Sequence, residues 1–184
     1  MKKVVLLGDS IRLIGYGPLV PQMLGQDYTV FQSEDNCRFV KYTLRCLFDW
    51  REDIKDADII HWNNGLWDTS VGLFDDGGQP FTCEAEYVEN MLRVAKELLK
   101  ITPNVIFATT TPVNPEYSYN SNEVIEHYNA VLVPKLQEMG IRINDLHTLV
   151  KADIPQYICE DMLHLSAAGA QLCAEQVVRM IKEF

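Results

Sequence analysis

Ser10 stands three residues past the apolar run Val4-Val5-Leu6-Leu7, after Gly8 and Asp9, and at the far end of the chain Asp161 precedes His164 by three positions. A serine hydroxyl becomes an effective nucleophile when a base takes its proton and a third group holds that base in the right tautomer. Ser10, His164 and Asp161 are the residue types for those three roles, and they occur along the chain in the order Ser, Asp, His. Acyl transfer also needs donors for the oxyanion of its tetrahedral intermediate. Asn63 or Asn64, which close the apolar run Ile60-His61-Trp62, could offer a side-chain amide.

These residues are useful only if the fold brings them together. An aliphatic run bounded by polar residues reads as a strand buried in a parallel sheet, with Ser10 at its carboxyl end. Open α/β sheets bind their ligands at that edge. Similar runs at Tyr28–Phe31, Asp58–Trp62, Val105–Thr109 and Ile141–Ile143 alternate with helical patterns, which argues for βα units around a central parallel sheet of about five strands. Glu84–Lys100 places Val88, Met91, Leu92, Ala95, Leu98 and Leu99 on one helical face. Glu123–Met139 has similar spacing, with Pro134 expected to kink it and Gly140 placed to end it. Phe39–Trp50 suits a helix after the second strand. Ser166 is placed to cap a last helix that buries Ala170, Cys173, Ala174, Val177 and Ile181, and the docking of that helix would fix the loop carrying His164. The stretches Trp67–Thr82, with Asp75-Asp76-Gly77-Gly78, and Thr110–Asn120 read as loops over the sheet edge, where substrate sites are often shaped.

Length and charge narrow the class. A chain of 184 residues without an internal repeat or linker reads as one domain, residues 1–184. A domain of that size buries roughly 70 per cent of its unfolded surface and needs neither disulfide nor metal to hold it. The net charge of −10, from 16 basic and 26 acidic residues, opposes nucleic acid and anionic membrane surfaces as partners. Five cysteines without a Cys-x-x-Cys pair, and no secretory leader pattern at the amino terminus, suggest a reduced, cytoplasmic protein.

The blocks Gly8-Asp9-Ser10-Ile11, His61-Trp62-Asn63-Asn64 and Asp161-Met162-Leu163-His164 together resemble those of the SGNH hydrolases, also called GDSL-type esterases or lipases. The resemblance implies a flavodoxin-like three-layer α/β/α sandwich and a metal-free, cofactor-free site for hydrolysing acyl esters. It assigns Ser10 as nucleophile, His164 as base and Asp161 as acid, with the Ser10 N–H and the Asn63 amide in the oxyanion hole. His61 and Asn64 depart from the third block, which carries glycine and aspartate there. The second block normally offers a glycine N–H after the second strand, but Ser33–Arg38 contains no glycine. Cys37 is the best match for that donor and Asn36 the next. The resemblance also suggests a small acyl ester as substrate, an acetyl group on a carbohydrate being one version.

Each of these residues has a plainer reading. Gly-Asp-Ser alone is more often a turn than a nucleophile, and Asn63 could simply cap a turn before Gly65. Trp62 and Trp67 could line an acyl or sugar pocket, or belong to the core. His61, His127 and His147 have no paired acid at a telling spacing and read as surface or core histidines. Cys37 reads as structural rather than reactive, and Asp9 as an acceptor for backbone N–H groups around Ser10. The Gly-x-Ser-x-Gly elbow and the dinucleotide fingerprint are both missing, so no cofactor is expected. Competing functions are a thioesterase or lysophospholipase using the same residues on a longer acyl chain, a non-catalytic domain cradling phosphate at Gly8, and a metal-dependent hydrolase ligated by Asp9, Asp161 and His164.

Overall fold

Side chains alternate across the central strands, and both sets are buried, which requires a helical layer on each face of the sheet. The computed structural model describes residues 1–74 and 76–184; Asp75, in the stretch expected to be a loop, lies outside the described residues. Five parallel strands, β1 (Lys2–Leu7), β2 (Tyr28–Gln32), β3 (Ile59–Trp62), β4 (Val105–Ala108) and β5 (Arg142–Asn144), lie in the order β2-β1-β3-β4-β5. Val4, Leu6, Ile59 and Ile106 point to one face, where α1 (Val20–Leu24), α6 (Leu146–Lys151) and α8 (Ala167–Lys182) close the core. Val5, Leu7, Ile60, Trp62 and Phe107 point to the other, against α2 (Val40–Asp49), α4 (Glu84–Leu99) and α5 (Asn122–Glu138). This is the α/β/α sandwich expected of the sequence.

Val4 to Leu7 are each 0% exposed, so truncating any of them would cost about 2–5 kcal/mol through lost transfer energy and the cavity left behind. The sheet that carries Ser10 is thus held from both sides. Helix α5 runs on through Pro134, and Gly140, at φ 84°, ends the turn after it. Ser166 caps α8, its hydroxyl accepting from Gly169 N–H at 3.1 Å. Four short helices escaped the periodicity argument: α1, α3 (Arg51–Ile54), α6 and α7 (Ile154–Tyr157) are too brief to show a repeat. So did the π-helical turn Ile11–Tyr16 that follows Ser10. Among the described residues no helix is long and apolar enough to cross a membrane.

Candidate active site

Strand β1 ends at Leu7 and delivers Gly8, Asp9 and Ser10 to the carboxyl edge of the sheet, where β2 and β3 also end. Gly8 is required there by close approach: a Cβ at that position would lie 1.9 Å from Asn63 Oδ1 and 2.7 Å from Arg12 Cβ. The segment between α7 and α8 forms a pinned loop over the same edge. Ile158 and Leu165 pair as an antiparallel bridge, and Cys159 N–H donates to the His164 carbonyl at 2.8 Å. At its tip Met162 adopts φ 68°, a left-handed backbone unusual for a residue with a side chain. That reversal turns the N–H groups of Leu163 and His164 back onto Asp161 Oδ1, at 2.9 and 2.8 Å.

Residues from the two ends of the chain meet here. His164 Nε2 lies 2.8 Å from Ser10 Oγ, and His164 Nδ1 lies 2.6 Å from Asp161 Oδ2. With Asp161 accepting the proton on Nδ1, Nε2 is left as an acceptor facing the Ser10 hydroxyl. Burial opposes ionisation of Asp161, but the N–H groups of His164 and Leu163, the Cys159 thiol and the imidazole outweigh it and hold the carboxyl below the ordinary carboxylate range. Asp161 is therefore ionised at neutral pH and suited to stabilise a positive imidazolium.

The donors at this edge are distributed differently from expectation. Cys37 N–H donates to the Gly8 carbonyl at 3.1 Å, while Gly8 N–H donates to Cys37 Sγ at 3.1 Å. That reciprocal pair occupies the N–H assigned to the oxyanion hole, so Cys37 is corrected from donor to a tie between β1 and the segment after β2. Burial also pushes its thiol up to about 12, which leaves it unreactive. Asn36, the second choice, lines the cleft with Ser10, and its backbone N–H has no protein acceptor among the described residues.

Asn63 is buried beside Gly8 and Asp9. Its Oδ1 accepts from the Tyr16 hydroxyl at 2.8 Å and its Nδ2 donates to Asp9 Oδ1 at 2.8 Å, leaving the second amide hydrogen without a protein partner. Asp9 also accepts from Ile11 N–H at 3.0 Å, as its backbone-organising reading required. Burial pushes the Asp9 carboxyl up, against the opposing pull of Asn63, Ile11 N–H and Arg12. Among the described residues no group of His, Cys, Asp or Glu side chains stands together as ligands for a metal ion, so Asp9, Asp161 and His164 do not form the cluster that the metal reading needed.

Trp62 is corrected from pocket wall to core. It leaves β3 on the α2/α4 face, is fully buried 4.9 Å from the Phe107 ring, and donates to Asn64 Oδ1 at 2.8 Å. The strand's two-residue period makes this unavoidable, because His61 takes the opposite face. Trp67 does line the cleft, a cavity of about 270 Å³, with Ser10, Asn36, Leu66, Tyr117 and His164.

Several residues that shape the site were missed. Arg12 is 1% exposed and donates to the carbonyls of Gly8, Ser33 and Asp35 at 3.1, 2.7 and 2.8 Å. It clamps the segment bearing Asn36, which Asn64 holds from the other side through the Arg38 carbonyl at 2.8 Å. A cation inside Ile11-Arg12-Leu13-Ile14 was the available signal. His61 sits in a buried chain of polar groups: Asn144 Nδ2 at 3.1 Å from its Nε2, and the Tyr16 hydroxyl at 3.4 Å from its Nδ1. Burial holds its pKa down at about 3, so the ring is neutral and can accept from Asn144 while donating to Tyr16. Asp68, fully buried, accepts from Val40 N–H at the start of α2 and from the Thr82 hydroxyl at 2.7 Å.

No protein-family model matches the chain. Among characterised proteins it is 30% identical over 209 residues to the GDSL esterase/lipase CPRD49 of Arabidopsis thaliana, spanning 98% of this chain and 79% of that protein. Among solved structures, a member of the lipolytic G-D-S-L family from Veillonella parvula superposes with a TM-score of 0.81 at 15% identity, covering 100% of both chains. The acetyl xylan esterase AlAXEase superposes with a TM-score of 0.79 at 18% identity, covering 97% of this chain and 99% of that one.

Proposed function

The chain belongs to the GDSL esterase/lipase family and is a carboxylic-ester hydrolase, and on that footing we propose that Ser10 is its nucleophile, His164 its general base and acid, and Asp161 the group that orients the imidazole. The observation that carries this reading is the continuous contact from Ser10 Oγ through His164 to Asp161. Ser10 Oγ attacks the ester carbonyl as its proton passes to His164 Nε2. Collapse of the tetrahedral intermediate releases the alcohol, which takes that proton, and leaves an acyl group on Ser10 Oγ. Water then repeats the attack, with His164 again as base, and frees the acid. The oxyanion is met by the Ser10 and Asn36 N–H groups and the free amide hydrogen of Asn63. Each such donor contributes about 3 kcal/mol in the transition state.

The substrate is an acyl ester. An acetyl ester of a carbohydrate finds support in the likeness to an acetyl xylan esterase, whereas the thioesterase or lysophospholipase reading finds support in the cleft's lining of Leu66, Trp67, Leu73 and Leu163. The test is labelling by a fluorophosphonate probe together with turnover of p-nitrophenyl esters, acetylated sugars and an acyl thioester. The reading expects wild type to be labelled and active, and Ser10→Ala to be neither. Labelling of Ser10→Ala equal to wild type would remove Ser10 from the chemistry, and tight phosphate binding without labelling would turn the site into a phosphate cradle.

A further inference from the structure

The cleft beside Ser10 does not end at its own walls. Trp67, which lines it, stacks on Phe74 with ring centres 5.5 Å apart and planes 21° from parallel. Phe74 lies 4.5 Å from Phe81, and Phe81 lies 5.1 Å from Phe39 at the start of α2. A continuous aromatic ridge therefore leaves the cleft and runs over the surface. Phe74 is 44% exposed, Phe81 39%, and Leu73, shared with the cleft, 46%. Apolar side chains scattered singly are ordinary on a surface, but a contiguous run of them joined to a ligand site is not.

The cleft's chemistry agrees with that of the ridge. Ser70 gives its hydroxyl hydrogen to the Tyr119 carbonyl, and Asn120 gives its amide hydrogens to the Leu66 carbonyl and Thr69 Oγ1. Two of the polar side chains lining the cleft thus face the protein rather than a ligand. At about 270 Å³ the cleft is smaller than the roughly 300–1,000 Å³ of sites that enclose a whole drug-sized ligand. A longer apolar group would fill it and continue outside. The apolar walls of the cleft, Leu66, Trp67 and Leu73, come from the loop after β3, so the hydrocarbon of the acyl part is the half of the substrate that suits them. The net charge of −10 disfavours an anionic lipid surface as occupant.

We propose that the ridge Trp67–Phe74–Phe81–Phe39 is an external acyl-binding track: it carries the distal hydrocarbon of an acyl chain too long for the cleft, making medium-to-long-chain acyl esters the preferred substrates. This rests on the esterase reading and deepens it. Water is displaced from both surfaces when the chain lies along the rings, and that gain is made only by substrates long enough to reach them.

The test compares kcat/KM for p-nitrophenyl acetate, hexanoate and decanoate, each below its aggregation threshold, in wild type, Phe74→Ser and Phe81→Ser, with the oligomeric state measured for all three proteins. The proposal expects kcat/KM to rise from acetate to decanoate in wild type. Each variant should lose about tenfold on decanoate while hydrolysing acetate at the wild-type rate, which also reports an intact fold. Preference for acetate, or decanoate turnover unchanged in both variants, would overturn it. So would a wild-type dimer that Phe74→Ser dissociates with no change in chain-length preference, since the ridge would then be an interface between copies. Failure of wild type to hydrolyse any ester or take the fluorophosphonate label would instead overturn the assignment of Ser10.

Discussion

The Tyr16 hydroxyl donates to Asn63 Oδ1 at 2.8 Å, and this contact decides which end of the amide faces Asp9. Tyr16 is itself held by neutral His61, so the amide's orientation is set from the interior of the protein rather than by solvent. Tyr16→Phe should lower kcat about tenfold with KM little changed, because the oxyanion role proposed for the amide is exercised chiefly in the transition state. In an Asn63→Ala background the same change should have almost no further effect. Steady-state kinetics on the double-mutant cycle checks both, and additive losses would assign Tyr16 a purely structural role.

Cys37→Ala should leave kcat near the wild-type value, since the Cys37 N–H bond to the Gly8 carbonyl survives the substitution, and should lower stability by about 1–3 kcal/mol because the buried Gly8 N–H loses Sγ as its acceptor. Asn36→Pro, which deletes the unpaired N–H lining the cleft, should lower kcat about a hundredfold, while Asn36→Gly should not. Equal turnover in Asn36→Pro and Asn36→Gly would take the backbone of residue 36 out of the oxyanion hole.

Gly8→Ala would drive a methyl group to within 1.9 Å of Asn63 Oδ1. The expected outcome is destabilisation by about 1–3 kcal/mol from overpacking, together with a loss of kcat larger than that in Tyr16→Phe. Denaturant titration and kinetics on the folded fraction separate the two effects.

Asp68 ties the start of α2 to Thr82, and burial pushes its carboxyl up from 3.8 to about 7. The folded protein therefore holds this proton to about pH 7, whereas the unfolded chain releases it near 3.8. Between those values the folded state binds more protons, so this group's contribution to stability falls as pH rises, and it is constant above the window. Asp68→Asn, which keeps an acceptor oxygen but cannot ionise, should gain stability relative to wild type as pH is raised from about 4 to about 8. Thermal melts across that range check the sign; a constant difference between the two proteins would mean that Asp68 does not titrate there.

How much of this was legible follows from what each signal depends on. Strands β1, β3 and β4 were readable because sheet burial on both faces favours short runs rich in apolar residues, and α4 and α8 because one buried stripe leaves a helical period. Ser10, Asp161 and His164 could be paired only through the block resemblance, since nothing in the residues themselves says that positions so far apart touch. Cys37 was misassigned because hydrogen-bond occupancy of a backbone N–H is a property of three dimensions. Trp62 was misplaced because the proximity of a strand end to the site says nothing about which face a side chain takes. Arg12, Tyr16 and Asp68 act through buried contacts to carbonyls, an amide and a helix end, and none of these leaves a repeat in the sequence.

The hydroxyl at position 10 and the imidazole it contacts are 154 residues apart. A ribosome makes the amino-terminal part first, so the proposed nucleophile emerges long before the proposed base and acid exist. Under the proposed assignment the growing chain gains esterase activity only once residues 161–164 are made and α8 docks behind the loop that carries them. Appearance of activity during translation or refolding would time that docking step directly.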